Sequence, residues 1–598
     1  MFLAAQFQIP FRTWTGVNVP PPPPTNPIAA SRQINWTKAG VVGGIPNRTG
    51  VCSTLSPGVS ATTINSAIAS CPSGQVVKLN AGTYNLTAGI TFQGKNNVTL
   101  RGAGANQTFL VFTGDTSCNN LRSDICIAGS NNWEGGPQNT ANWTAGYAVG
   151  TTSITLSNTT NIVPGSTFLI LDQLDDTSDT GNVFVCATTG VCSTEGSGGG
   201  SRGGNRAQQQ LVAVTGVSGS TVTISPGLYM PNWSSGKSPG AWWANTVISG
   251  DGIESLSVDH TNSNDQSGIA FMDATNSWVK DVRSITPNRN HVWFYAATHI
   301  TVEDSYFYGT LNHASVSYGI EPFQSSDCLV QNNIIQHVAS PLLPTASGSG
   351  NVYAYNFTID DFYTPSPNFL LDSYQPHDAG GNMSLFEGNQ IAAMRSDAIH
   401  GTHNFLTIFR NRILGTQAGS NNNTKPMGIE SFGRYYNVVG NVLGTVGFHT
   451  QYQDLAPSGT NPNQSIYLLG WSGDVGTKAG NLVNDLLVIS TLMRWGNYDT
   501  VNNATQWNSS EVPSTISPFP NPVPANHSLP NSLYLAGQPS WWVTPWGTPA
   551  WPAIGPDVTG GPGPGGHSYN IPAALCYQNT PATSGILNFE ASNCYSGL

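Results

Sequence analysis

The side chains equipped for chemistry crowd into one part of the chain. Tyr374-Gln-Pro-His377-Asp378 is followed by Arg395-Ser-Asp397-Ala-Ile-His400-Gly-Thr-His403, Arg410 and Arg412. Upstream lie Arg289-Asn-His291, His313, Glu321 and the pair Asp360-Asp361; downstream come Glu430 and Arg434. Only 9% of the 598 residues are charged, so this concentration stands well above the background. Two kinds of bond cleavage fit these residue types. Elimination from an acidic sugar needs a cation to neutralise the carboxylate and a base to take the C5 proton, a role open to His, Tyr, Lys or Arg. His400 or His403 would be the base, with Arg410 or Arg434 binding the carboxylate. Hydrolysis instead needs two carboxylates, about 5–5.5 Å apart for retention or about 6.5–9.5 Å for inversion. Asp360, Asp361 and Asp397 could supply them.

The candidate catalytic set is therefore His377, Asp397, His400, His403 and Arg410, with His313, Glu321, Asp361, Tyr374 and Arg434 as substrate ligands. Any one of them could instead cap a turn or satisfy a loop carbonyl. Their density is what marks a functional cluster.

Such residues act together only if the fold brings them to one face. From Asn382 to Gly444 the chain repeats a figure without repeating its letters: a short alternating apolar run, an Asn, then another aliphatic residue. Units end at Asn389, Asn411 and Asn441, earlier ones at Asn333 and Asn356, and weaker versions at Ser305 and Val282. The steps between these marks are 23, 28, 23, 33, 22 and 30 residues. A base step near 22 with irregular excess implies a coil of short strands, one turn per repeat, with loops inserted at turns. Turns about 4.8 Å apart would stack the aliphatic side chains into one interior column. An Asn at each bend can adopt left-handed backbone and hydrogen-bond the Asn one turn above. The runs are too short, too β-branched and too rich in Asn and Gly for an array of helices. The expected fold is all-β, a right-handed parallel β-helix.

The first turns carry their own signals. Residues 61–71 place Ile64, Ala67, Ile68 and Cys71 at helical spacing, so a short amphipathic helix should cap the coil, stapled by Cys52 and Cys71. Val76-Val-Lys-Leu-Asn-Ala-Gly82-Thr-Tyr84, Gly89-Ile-Thr-Phe and Asn97-Val-Thr-Leu-Arg-Gly102-Ala-Gly104 read as strands with glycine turns. This succession resembles the N-terminal turns of the pectate-lyase-like single-stranded right-handed β-helix superfamily. With the Asn-marked turns the resemblance extends over roughly residues 40–480. It implies the fold; the superfamily hosts lyases, hydrolases, esterases, phage spikes and adhesins, so it implies no single activity. The calcium-binding Asp cluster of the pectate lyases and the ordered motifs of the polygalacturonases are not found in the sequence.

Five regions follow: an apolar strand and polyproline spacer at 1–30, the N-terminal cap and first turns at 31–144, an antiparallel β-insert at 145–232, the main β-helix at 233–500, and a Pro- and Trp-rich C-terminal cap at 501–598. Within the insert, Asp172, Asp175, Asp176 and Asp179 form an acidic loop with carboxylates that Ca2+ could take, the one cofactor to which the sequence points. The cysteines pair as near neighbours, Cys52/Cys71, Cys118/Cys126, Cys186/Cys192 and Cys576/Cys594, with Cys328 left as a core residue. Four local pairs point to disulfides and an oxidising, extracellular setting. About fifteen Asn-X-Ser/Thr sequons, Asn35, Asn97, Asn142, Asn356 and Asn503 among them, offer glycosylation sites.

A formal net charge of −11 disfavours nucleic acid as a partner, and no apolar run is long enough to span a membrane. A polysaccharide, bound or cleaved along a groove of the coil, is the expected ligand. Two rival readings stand beside it: a non-catalytic surface or filament protein assembling through residues 1–24, and a glycan-binding spike using the C-terminal Trp residues.

Overall fold

A computed structural model describes residues 26–597, except positions 93, 134, 175–182, 184–201, 203–205, 315–316, 347, 400 and 473–482. Residues 1–24, Asp175, Asp176, Asp179, Cys186, Cys192 and His400 thus fall outside the described residues.

The chain winds as a right-handed parallel β-helix with three short strands per turn. One file of strands climbs from Val98–Arg101 through Thr301–Glu303 and Leu385–Glu387 to Met493–Trp495. A second follows it around a bend, from Thr108–Phe112 through Tyr306–Tyr308 to Asn497–Asp499. A third climbs from Ile90–Thr91 through Asn290–Tyr295 and Tyr318–Phe323 to Ser465–Leu469, joined midway by single bridges at Tyr374. Alternation along each strand sends every second side chain inward. In the first file Leu100, Ile253, Val279, Val302, Val330, Tyr353, Phe386, Ile408 and Val438 lie in register, all buried in one core cluster. Each such burial is worth about 1.5–3 kcal/mol, and the inward columns of the other two files join the same cluster.

The Asn marks align in a file. Asn333, Asn356, Asn389, Asn411 and Asn441 each donate from the backbone N–H and from Nδ2 to the Oδ1 one turn on, at 2.8–3.2 Å. The file runs on to Asn497, which the repeat pattern had not shown. Below it Ser305 plays the same part, accepting from Val282 N and donating its own N–H to Asn333 Oδ1. One detail differs from expectation. The left-handed residue is the one before each Asn, namely Asn332, Tyr355, Gly388, Arg410 and Gly440, with φ of 52–70°. The Asn itself stays out of that conformation because its amide must lie along the coil axis to reach the next turn.

The helix Ala61–Ser70 forms at the start, its N-terminus capped by Ser60 and its Ile64 and Ile68 buried. Disulfides join Cys52–Cys71, Cys118–Cys126 and Cys576–Cys594, and Cys328 is free and buried in the core. The insert closes on itself as a six-stranded antiparallel barrel, between Asn139–Ala145 and Gly240–Trp243. Closure leaves no free edge, so the barrel needs the coil only for its docking face. There Phe168, Ile170, Leu211 and Trp242 pack on Trp293, Tyr295 and Phe323 of the third file.

The C-terminal region begins on the last turn, where Ala504–Gln506 pairs with Asn497–Asp499. It runs back along the outer side of the first two files, burying Trp541, Trp542, Ile554, Ile571 and Phe589 against Tyr306, Val352, Tyr355, Leu385 and Phe409. Those outward positions are apolar and must be covered. Trp541 and Trp542 are thereby removed from any role in stacking on sugars. An N-terminal strap covers another side in the same direction: Arg32 binds Tyr436 O and Thr491 O near one end, Trp36 binds Met383 O, and Arg48 binds Gly250 O near the other. Asn521 ties the two straps together through Ala29 N and Pro27 O. On the outer side of the third file beyond Trp293 lies the charged cluster of the sequence, nearly all of it buried, with the His377 side chain 17% exposed.

Candidate functional site

On that face the inward partners are Ile320, Leu342, Tyr374, Met394 and Met427, all in the core. Their neighbours Glu321, Gln375 and Arg395 therefore point outward. His377 follows Gln375 at the corner, and Asp397 follows Arg395 one turn later, twenty positions on in sequence.

His377 Nδ1 meets Asp397 Oδ2 at 2.7 Å. Gln375 Nε2 donates to the same oxygen at 2.7 Å, and Ile399 N donates to Oδ1 at 3.1 Å. The other ring nitrogen, Nε2, lies 3.9 Å from Asp378 Oδ1. Burial by itself would depress the His377 imidazolium, but the charges of Asp397 and Asp378 outweigh it and hold the pKa up to about 9. Asp397 is correspondingly drawn below the ordinary carboxylate range: burial opposes, and His377, Arg395 and Gln375 prevail. The pair is thus an imidazolium–carboxylate at neutral pH. His403, fully buried nearby, is held neutral at about 4 by desolvation, with Asp397 opposing and His377 adding to the effect.

Cations and carboxylates alternate along the strip. Arg395 Nε meets Asp372 Oδ2 at 3.0 Å, and its NH1 lies 3.9 Å from Glu430 Oε1, whose Oε2 accepts from Ala398 N. Arg289 NH2 lies 3.7 Å from Glu321 Oε1, and its guanidinium covers the rings of Trp293 and Tyr318 at 4.5 and 5.0 Å. Burial and the charges of Glu321 and Asp378 push the Tyr318 phenol up, which sets Asp378 in the same strip. Trp133, half-buried, packs edge-on against Trp293 and Tyr295 where the barrel begins.

The structure brings together His377, Asp397, His403 and Glu321 from the sequence candidates. It removes several others. Arg410 faces the C-terminal strap, with its guanidinium on Asp557 at 2.6 and 2.8 Å and on the carbonyls of Pro530 and Ile554. Arg434 is fully buried against Asp485 at 2.8 Å, so neither arginine is placed to bind a sugar carboxylate. Tyr374 points into the core and stacks on Phe386 at 4.1 Å. Asp361 is buried, bound by the Ser373 hydroxyl, and burial raises it well above the carboxylate range. His313 sits at a different corner, against His337 and Phe362, where His337 Nδ1 meets Asp360 Oδ2 at 2.6 Å. Asp172, a calcium candidate, is buried and neutralised by Arg202 and Arg206 at 3.1 and 3.0 Å, which leaves no charge for a metal to balance. Among the sequons, Asn356 is locked in the Asn file with no exposed atom to receive a glycan.

Asp372, Gln375, Tyr318 and Trp133 were not singled out from the sequence. For Gln375 the signal was available: it follows an inward tyrosine on a strand. An open cavity of about 970 Å3 lies elsewhere, between barrel and N-terminal strap. Its one histidine, His299, donates to Gly40 O at 3.1 Å, and chemistry concentrates on the His377 face instead.

No protein family and no curated protein matches the sequence. Among solved structures, the chain is similar to the tailspike of Pseudomonas phage phi297, at 10% identity and TM-score 0.39, over 63% of this chain and 62% of that one. It is similar to the tailspike of Pseudomonas phage LKA1 at 16% identity and TM-score 0.39, over 66% and 67% of the two chains. An alginate lyase from Paenibacillus sp. matches at 11% identity and TM-score 0.33, over 65% of this chain and 94% of its own. The chain thus spans less than two thirds of the phi297 tailspike. All three are right-handed parallel β-helix proteins. The likeness is one of fold.

Proposed function

We propose that this protein is an extracellular carbohydrate-active β-helix that hydrolyses a neutral or weakly charged polysaccharide laid along the outer face of the third file. The observation that carries this reading is the His377–Asp397 pair, 2.7 Å apart, in a strip where Arg395 and Arg289 already face Asp372 and Glu321. Asp397 holds the ring by Nδ1 and keeps it protonated, which turns Nε2 toward Asp378 and makes His377 the proton donor to a leaving glycosidic oxygen. Asp378 and Glu321 supply the carboxylate charge that a cationic transition state at the anomeric carbon requires; water adds there as the glycosidic bond breaks, and its proton passes to Asp378, beside the deprotonated His377 Nε2. Trp133, half-buried, offers aromatic surface beside the cleavage point.

Elimination from a uronate is the weaker alternative. A sugar carboxylate would enter a strip holding Glu321, Asp372, Asp378, Asp397 and Glu430, and its natural ligands Arg410 and Arg434 are bound elsewhere. The disulfides support the extracellular placement.

The test is a panel of neutral and acidic polysaccharides, scored for new reducing ends and for the ultraviolet absorbance of unsaturated products. Reducing ends without absorbance are expected, and His377→Ala should lower the rate about 100-fold or more. Full activity in both His377→Ala and Asp397→Asn, with the fold intact by circular dichroism, would remove this site.

A further inference from the structure

A second polar cluster lies inside the coil, beneath the corner between the second and third files in its early turns. Asp124 stands on the strand Ser123–Ala128, and His260 follows the strand Gly252–Asp259. Asp265 comes from the turn between His260 and the strand Ser267–Met272. None is more than 1% exposed. His260 Nδ1 lies 2.7 Å from Asp124 Oδ2 and 3.8 Å from Asp265 Oδ2, and the three ligand atoms all fall within 4.8 Å of one another. Asp265 Oδ2 is buried and accepts no hydrogen bond.

Hydrogen-bond directions fix the histidine's tautomer from the far end of a chain. His291 Nε2 lies 2.6 Å from the carbonyl of Gly309, so it must carry the proton. Burial keeps His291 neutral, lowered to about 3, so its Nδ1 is an acceptor. Ser284 Oγ, 2.8 Å away, therefore donates to it and must accept from His260 Nε2 at 3.2 Å. His260 Nε2 then carries a proton, and Nδ1 faces two carboxylates. A proton on Nδ1 serves Asp124 alone and leaves the buried Asp265 Oδ2 orphaned. A divalent cation at the same point satisfies all three groups and brings the net charge to zero.

We propose that Asp124, His260 and Asp265 bind a first-row divalent cation, Zn2+ or Mn2+, that pins the early turns of the coil to one another. Ligand atoms about 2.0–2.2 Å from a tetrahedral centre stand roughly 3.3–3.6 Å apart, and the observed 2.7 and 3.8 Å bracket that spacing. The surroundings are those of a ligand set. Ser263 Oγ donates to Asp124 Oδ1 at 2.6 Å, Asn288 N donates to Asp265 Oδ1 at 3.2 Å, and the Ser284–His291 relay orients the ring. His260 also stacks on Phe112, rings 6.2 Å apart and 9° from parallel, which fixes the plane in which Nδ1 points.

The full chain, produced in media supplemented in turn with Zn2+, Mn2+ and Co2+, would be assayed for metal by mass spectrometry. About one equivalent per chain is expected from the Zn2+ or Mn2+ medium, with the Co2+ form showing the visible bands of a low-symmetry site. Asp265→Asn should lower the metal content about tenfold or more and lower the melting temperature. Were the site only a buried imidazolium, the same substitution would replace an orphaned carboxyl by an amide and leave stability unchanged or raised. Wild-type protein without metal from all three media, or Asp265→Asn retaining its metal, would overturn the proposal. The Co2+ spectrum of the wild type decides the matter should the variant fail to fold.

Discussion

Removing one amide from the Asn file tests the architecture where its energetics are most explicit. Asn389 is fully buried. Its Oδ1 accepts from Asn356 N at 2.9 Å and Asn356 Nδ2 at 3.0 Å, and its Nδ2 donates to Tyr353 O, Glu387 O and Asn411 Oδ1 at 2.9–3.1 Å. In Asn389→Ala, the Asn356 side chain keeps Val330 O, and Asn411 Oδ1 keeps Asn389 N. Asn356 N–H loses its acceptor, at about 1–3 kcal/mol for a buried orphan. The lost bonds to Tyr353 and Asn411 add about 1 kcal/mol each. The expected destabilisation is therefore about 3–5 kcal/mol. Asn389→Ser should cost roughly half as much, since Ser305 shows that a hydroxyl can accept from the turn below. Asn389→Asp should be no better than alanine, because it buries a carboxylate against Asn411 Oδ1. Denaturant unfolding gives the ranking, and hydrogen exchange at the Asn356 amide gives the local effect. Alanine within about 1 kcal/mol of wild type, or unchanged protection of that amide, would refute the reasoning.

Further outcomes follow from the same contacts. His377, raised to about 9, contributes stability that is complete below its unfolded value near 6.5 and is lost as pH climbs through 9, about 3 kcal/mol in all. Asp397, depressed, contributes stability above its unfolded value near 4 that fades as pH falls, so melting temperature should peak between the two limits and Asp397→Asn should flatten both slopes. Asp557→Ala leaves buried Arg410 with carbonyls alone; limited proteolysis should then cut the C-terminal strap faster while the coil's circular dichroism is kept. Breaking Cys576–Cys594, 18 positions apart, should cost about 3 kcal/mol in a chain-entropy account, measured by denaturant unfolding. Cys328, buried with its thiol pushed up by desolvation, should resist alkylation in the native protein and react once it unfolds.

The coil was legible because its signal is local. A period-two apolar run followed by Asn recurs from Asn333 to Asn441, and each copy states the same geometry. Asn497 escaped because its partner Asn441 lies 56 positions back, across an insertion that breaks the rhythm. The side on which a residue sits was harder to read. Tyr374 and Gln375 are adjacent, yet one enters the core and the other reaches Asp397, because a strand alternates and a one-residue error inverts every assignment.

What the sequence alone determined is the coil itself, its capping helix, three of its cysteine pairings and the neighbourhood of the His–Asp–Arg cluster. All of these rest on residues close in the chain or repeated along it. Only the tertiary structure decided which polar groups share a face. Arg410 is taken by Asp557, 147 positions away, and Asp124 meets His260 across 136. Such partners are chosen by how straps and turns lie over the coil. That placement depends on burying apolar outer faces, a requirement that no local spacing records.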